Sequence, residues 1–256
     1  MKNSSLRLAL WHRHVNAVNA PPAIRDWLIS GGSLTARLKT HCQAFRVQRL
    51  HQRSALCLRD EAAAIGGVTA PLRPLRVRER AVLLLCDERA IVFAHTVMPL
   101  TATASDWPQF DGLGERSLGS TLFGDPQVRR GALEFARLRA THPLAVRARA
   151  ALALALVAGV HASDMDADMD VGAAAGEVVG DTASGVLYAR RCVYTRKRGS
   201  LLVTEVFLPL AAYLTRSAMA DRIDTNAVLD AVSTVNQVNT TETMSTLPAS
   251  TLATWR

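Results

Sequence analysis

The stretch RAVLLLCDERAIVFAHTVMP, residues 80–99, decides the fold. It contains two β-rich runs, Arg80 to Cys86 and Ile91 to Met98, with the hairpin-length connection Asp87 to Ala90 between them. Pro99 closes the second run. A similar pair follows downstream, Gly185 to Arg196 and Leu201 to Leu208. Its turn is Lys197-Arg198-Gly199-Ser200, in which Gly199 is expected to supply a positive φ. Two antiparallel hairpins imply one antiparallel sheet.

Upstream, Ala44 to Leu50 and Ser54 to Leu58 also read as strands. Residues 21–40, PPAIRDWLISGGSLTARLKT, read as helix, break, helix. Pro21-Pro22 opens the first helix and Gly31-Gly32 ends it. Ser33 is placed to cap the second, with Leu34 and Leu38 one turn apart on its inner face. Helices at the ends of an antiparallel sheet define the α+β class.

The chain has 256 residues, of which 49% are hydrophobic and 20% charged, enough for one core and unlike a disordered chain. The formal net charge is +8, and only Lys2, Lys39 and Lys197 among the basic residues are lysines. A positive surface favours anionic partners. Aromatic residues are only 5%, and no reader motif is visible, which argues against a nucleic-acid binder. Cys42, Cys57, Cys86 and Cys192 form no CxxC pair and no zinc spacing, and they are expected as free thiols in a reducing compartment. The start of the chain lacks the apolar stretch of a signal peptide, and the longest apolar run, Ala150 to Val160, is short of the ~20 residues that span a bilayer. A cytoplasmic protein is expected. Neither GxGxxG, P-loop, HExxH nor GxSxG occurs.

The expected organisation is an N-terminal extension over 1–20, a core over 21–214, a surface insertion at about 139–184, and a polar tail over 215–256. The insertion includes ASDMDADMD. Its Asp164, Asp166 and Asp168 have the spacing that opens a calcium loop, but Met169 and Ala175 stand where that loop needs Gly and Glu. The tail holds one candidate helix around Ala227 to Val235.

Two charged residues break the apolar logic of the strands. Arg80 opens RAVLLLC. Glu205 shares a strand face with Leu201, Val203 and Phe207, where a carboxylate is costly to bury without a partner. Either that face is solvated or Glu205 lines a pocket, and apolar neighbours on both faces favour the pocket.

Four pieces, DWLISGGSLTARL (26–38), RAVLLLCDERAIVFAHTVMP (80–99), RSLGSTLF (116–123) and LYARRCVYTRKRGSLLVTEVFLP (187–209), occur in this order with matching internal spacing. Together they resemble the chorismate lyase family of ubiquinone biosynthesis. The resemblance implies an antiparallel sheet of about six strands with flanking helices. It implies a monomer without metal or organic cofactor that eliminates pyruvate from chorismate to leave 4-hydroxybenzoate. By the same resemblance Arg80 pairs the ring carboxylate, Glu205 meets the 4-hydroxyl, Leu118 supplies a backbone contact, and Leu34 replaces a methionine over the ligand. His95 stands where related sequences commonly carry Arg before TV. It is either a conditional anion contact or a strand histidine bonded to its neighbours. A ligand-sensing module of the same fold, binding a small aromatic acid without catalysis, is the competing reading. That reading wants an N-terminal DNA-binding domain, and few residues precede Pro21.

Overall fold

The computed structural model describes residues 8–66, 75–102, 106–163 and 186–214. The calcium-like Asp164 to Asp168, the candidate helix Ala227 to Val235 and the rest of the 215–256 tail lie outside the described residues.

Six antiparallel strands form one sheet in the order β1-β2-β3-β6-β5-β4. They are β1 (Phe45–Leu56), β2 (Arg76–Cys86), β3 (Arg89–Pro99), β4 (Val128–Leu138), β5 (Leu187–Arg196) and β6 (Gly199–Phe207). The two stretches expected as separate strands before Leu58 are one strand, β1, whose register slips by one residue between Arg49 and His51. The strand β4 was reached only through the family resemblance. Its sequence, VRRGALEFARL, mixes charge and small residues as suits an edge.

Both hairpins turn on two residues rather than four. Asp87 and Glu88 take φ of 50° and 60°, the left-handed pair whose twist matches flanking strands. In the second hairpin Lys197, not Gly199, is left-handed, with φ of 51°. Gly199 is required for space instead. A Cβ there would lie 2.6 Å from the Asp106 Cβ, because the loop after β3 packs over this turn.

One face of the sheet receives the helices α1 (Pro22–Ile29) and α2 (Leu34–Lys39). Pro22 at the first turn and the Ser33 hydroxyl, which accepts from the Ala36 N–H at 3.3 Å, set their starts. Trp27, Leu28 and Leu38 pack there against Val82, Leu84, Val92 and Phe207. Residues 8–20 join the core rather than extending from it: Val18 and Ala20 lie in this cluster, while Ala9 and Trp11 pack against the cluster on the opposite face. His12 pairs with Phe135 on the edge of β4, and Val18 and Ala20 are buried.

The other face carries α5 (Pro143–Ser163). This overturns the surface-insertion expectation for the first part of 139–184. Leu144, Ala145 and Ala148 are fully buried against Leu83, Phe93, Ala189 and Val206. Alanine at these positions lets the helix lie close to the sheet, and the same small side chains disguise it as a loose excursion in sequence. The free-thiol expectation also fails for one pair. Cys42, just after α2, and Cys86, at the end of β2, form a disulfide with Cα atoms 5.3 Å apart, while Cys57 and Cys192 are free. The chain segments meet only in the fold, so a separation of 44 residues gave no signal.

Among the described residues no helix is long and apolar enough to cross a membrane, and no group of three or more His, Cys, Asp or Glu is placed to hold a metal. If α5 is part of the core, Leu144→Ala destabilises the protein by about 2–5 kcal/mol, as for any large-to-small change in a packed interior. Leu154→Ala, on the exposed side of the same helix, stays within about 0.5 kcal/mol. Urea unfolding of the two variants checks this, and equal midpoints would return the helix to the surface.

Candidate active site

A cleft of about 660 Å³, including its open mouth, lies on the α1/α2 face of the sheet. Four of the five residues singled out from sequence line it: Leu34, Arg80, Leu118 and Glu205. Its floor is apolar, made by Val82 and Leu84 of β2, Ala94 of β3 and Val203 of β6. Its sides come from the segment around Leu34 and from α4 (Leu118–Gly124).

Arg80 is 2% exposed. Its Nη2 donates to the carbonyl oxygens of Gly114 and Arg116, at 2.9 and 3.1 Å. Its Nε is buried with no hydrogen-bond partner, and no carboxylate lies within ion-pair distance among the described residues. Burial, helped by the charge of Arg49, pushes its pKa down to about 10. The group therefore remains a cation near neutrality, desolvated and one counter-ion short. Such a guanidinium is a receptor for a carboxylate.

Glu205 enters from the other hairpin. Arg80 stands opposite Thr96 on β3, and Glu205 stands opposite Ala94 on the far side of the same strand. With strands ~4.8 Å apart and ~3.4 Å per residue, their backbones are separated by about 10 Å across the sheet and about 7 Å along it. That interval suits a single aromatic ring with a polar group at each end.

Sequence reading missed the partner of Glu205. Arg190 donates from Nε to Glu205 Oε2 at 2.5 Å, and from Nη1 to the carbonyls of Trp27, Leu28 and Ser30, at 3.1, 3.3 and 2.7 Å. One guanidinium thus holds the carboxylate and caps the C-terminal end of α1, where carbonyls lack helical partners. The signal was available. A two-residue turn after Arg196 puts Arg190 directly across from Glu205. Desolvation also raises the Tyr194 hydroxyl, on the same face of β5, to about 12, so it stays protonated.

The two segments that close the cleft meet each other. Thr35 Oγ1 and Ser117 Oγ are 2.7 Å apart, and a Cβ on Gly119 would come within 3.2 Å of the Ser33 hydroxyl. Ser117 caps α4 by accepting from the Gly119 N–H at 3.2 Å. Leu34 and Leu118 therefore lie on two segments that meet over the cleft.

His95 is not in the cleft. The β2–β3 register slips by one residue between Leu84 and Leu85, so His95 pairs with Ala81 rather than Arg80 and points to the opposite face. There its Nε2 lies 3.2 Å from Glu61 Oε1 and 4.0 Å from Glu79 Oε2, all three side chains being buried. Glu61 comes from α3 (Arg59–Gly66), a helix absent from the sequence reading. Burial alone would raise the Glu79 carboxyl, but the hydrogen bond from Arg53 and the charges of His95, Arg147 and His51 hold it below its usual range.

A six-stranded antiparallel sheet with a buried, unpaired arginine facing a carboxylate across an apolar floor defines an α+β protein built to hold a small acidic ring. Residues 5–218 match the family described as "Chorismate lyase". A probable chorismate pyruvate-lyase of Cupriavidus metallidurans is 42% identical over 211 residues, covering 82% of this chain and 84% of that one. Proteins of the same description in Ralstonia nicotianae (42% over 189 residues, covering 73% and 81%) and Thiobacillus denitrificans (37% over 199 residues, covering 78% and 88%) are similar. This chain belongs to the chorismate lyase family.

Because His95 serves the reverse face, His95→Ala should lower stability while sparing the cleft. Leaving Glu61 and Glu79 without the imidazole costs about 1–3 kcal/mol in urea unfolding. Affinity for 4-hydroxybenzoate stays within about twofold, since the two sites share no partner. A large loss of affinity at unchanged stability would return His95 to the ligand site.

Proposed function

We propose that the chain eliminates pyruvate from chorismate, leaving 4-hydroxybenzoate, the aromatic acid that feeds ubiquinone biosynthesis. The observation that carries this reading is the buried Arg80 without a counter-ion, set across an apolar floor from Glu205. Chorismate offers a ring carboxylate to the guanidinium and a 4-hydroxyl to the carboxylate. Glu205 is itself braced by Arg190, so the hydroxyl meets a positioned acceptor.

Chemically, the ring loses the C4 proton and the C3 ether bond. The electron pair of that bond leaves with the ether oxygen, and the released enolpyruvate becomes pyruvate on taking a proton at its methylene carbon. Aromatisation supplies the driving force. The protein needs to hold the reactive conformer, exclude water and stabilise the departing negative charge. Leu34, Val82, Leu84 and Leu118 provide the dry surroundings. A monomer acting in the cytoplasm is part of this proposal. The non-catalytic alternative, a sensor of small aromatic acids, needs the same cleft and differs only in turnover. Purified protein in chelator-treated buffer is incubated with chorismate, and 4-hydroxybenzoate and pyruvate are measured. Equimolar appearance of both supports the lyase, whereas tight binding of 4-hydroxybenzoate with no turnover supports the sensor.

Removing the Arg80 side chain leaves a substrate carboxylate partly unpaired. Arg80→Ala should therefore lose about 2–5 kcal/mol of kcat/KM. Arg80→Lys should recover little, since a point charge does not reproduce a fork that also holds Gly114 and Arg116. Wild-type kinetics in Arg80→Ala would remove the residue from the site.

The product retains both the carboxylate and the hydroxyl, so it should remain bound behind Leu34 and Leu118 and limit turnover. Expected are competitive inhibition by 4-hydroxybenzoate, weaker inhibition by benzoate, a narrowing of that gap in Glu205→Gln, and a product burst in rapid mixing. A linear trace with no inhibition by product would make chemistry the slow step.

A further inference from the structure

Arg80 and Glu205 account for the groups that chorismate and 4-hydroxybenzoate share. Chorismate has one more charge, the carboxylate of its enolpyruvyl group, and the product has lost it. Three arginines line the cleft: Arg80, Arg130 and Arg190. Arg190 is committed to Glu205 and the end of α1. Arg130 is not committed to any acid among the described residues.

Arg130 reaches the cleft because β4 is irregular. Arg130 pairs with Tyr194 and Leu133 with Cys192, so one extra residue on β4 brings two side chains three positions apart onto the same face. Gly131 makes room for this, since a Cβ there would lie 3.0 Å from the Val193 carbonyl oxygen. The Arg130 Nε is buried and without a hydrogen-bond partner. Its Nη1 donates to the Gly31 carbonyl, in the break between α1 and α2, and its guanidinium carbon lies 5.7 Å from the centre of the Phe123 ring on α4. It therefore stands where both closing segments meet the sheet, half-buried, with a donor unused.

We propose that Arg130 receives the enolpyruvyl carboxylate of the substrate, resting on the lyase reading above. The residue thereby distinguishes substrate from product. As the C3–O bond breaks, its electron pair passes to the ether oxygen of the leaving enolpyruvate, and the carboxylate on that fragment stays on Arg130. The guanidinium thus offsets negative charge that grows on the leaving group. Once pyruvate has left, Arg130 has no contact with 4-hydroxybenzoate.

The test separates substrate from product in one protein. Wild type, Arg130→Ala, Arg130→Lys and Arg80→Ala are compared by kcat/KM for chorismate and by the inhibition constant of 4-hydroxybenzoate. Arg130→Ala should lose about 30-fold or more in kcat/KM, the range for a buried charge contact, while the inhibition constant stays within about threefold. Arg130→Lys should recover part of the loss, and added guanidinium should partly restore Arg130→Ala. Arg80→Ala should worsen both constants. Chorismate esterified at the enolpyruvyl carboxylate should show a loss of similar size on wild type, which needs no variant to fold. If kcat/KM of Arg130→Ala is unchanged, or if product affinity falls in step with it, Arg130 is only a tether for Gly31 and the assignment is wrong. If the wild type itself releases no pyruvate, the lyase reading falls first and this inference with it.

Discussion

The structure depends on keeping one guanidinium charged in a nearly dry place. Desolvating a cation costs several kcal/mol after relaxation, and Arg80 recovers only part of that from two carbonyl oxygens. Those two carbonyls belong to Gly114 and Arg116, in the segment that leads into α4. Placing the charge therefore also places the segment that closes the cleft. Gly114 has a φ of 56°, so the turn that aims its carbonyl at Arg80 is one that glycine makes without strain. The interaction left unmade, at Nε, is the one a ligand can supply.

A second guanidinium distributes the same logic. Arg190 ties Glu205 to the last carbonyls of α1, and α1 runs directly into Gly31, Gly32 and Ser33. Glu205 and the segment that carries Leu34 are thus positioned by one side chain. The Thr35–Ser117 contact joins the two covering segments to each other, and the Cys42–Cys86 disulfide fastens the end of the first to β2. The covering segments are thus held by polar contacts as well as by the apolar packing of Leu34, Leu38 and Leu122.

What the sequence disclosed follows from period and cost. Apolar runs with abrupt turns disclosed β2, β3, β5 and β6, and Arg80 and Glu205 stood out because charge inside such runs is expensive. Of the two readings left open for His95, the strand histidine is the one the register supports, because alternation carries a side chain to a given face only while register holds. In an unbulged hairpin with a two-residue turn, residue 95 would face residue 80. The slip at Leu84 and Leu85 moves it to the other side. The helix α5 was hidden for a different reason. Its buried positions are mainly alanines, and Leu154, Leu156 and Val157 on its outer side are exposed, so apolar periodicity is nearly absent. The edge strand β4, with three arginines, a glycine and a bulge, carries no alternation to read.

That bulge and the one in β2–β3 act in opposite senses on charge. The slip in the first hairpin removes an imidazole from the ligand face and sets its Nε2 3.2 Å from Glu61 and 4.0 Å from Glu79 on the reverse one. The slip in β4 brings Arg130 onto the ligand face, where the described residues offer it no acid. A single-residue insertion in a ladder changes which face receives a side chain without changing the strand order. The two slips together sort the sheet electrostatically. The reverse face holds its own matched cations and carboxylates, while the ligand face keeps Arg80 and Arg130 in excess over Glu205 and its partner. A cleft with that imbalance is suited to a small molecule carrying two negative charges, and it becomes less so for one that has lost a charge through reaction.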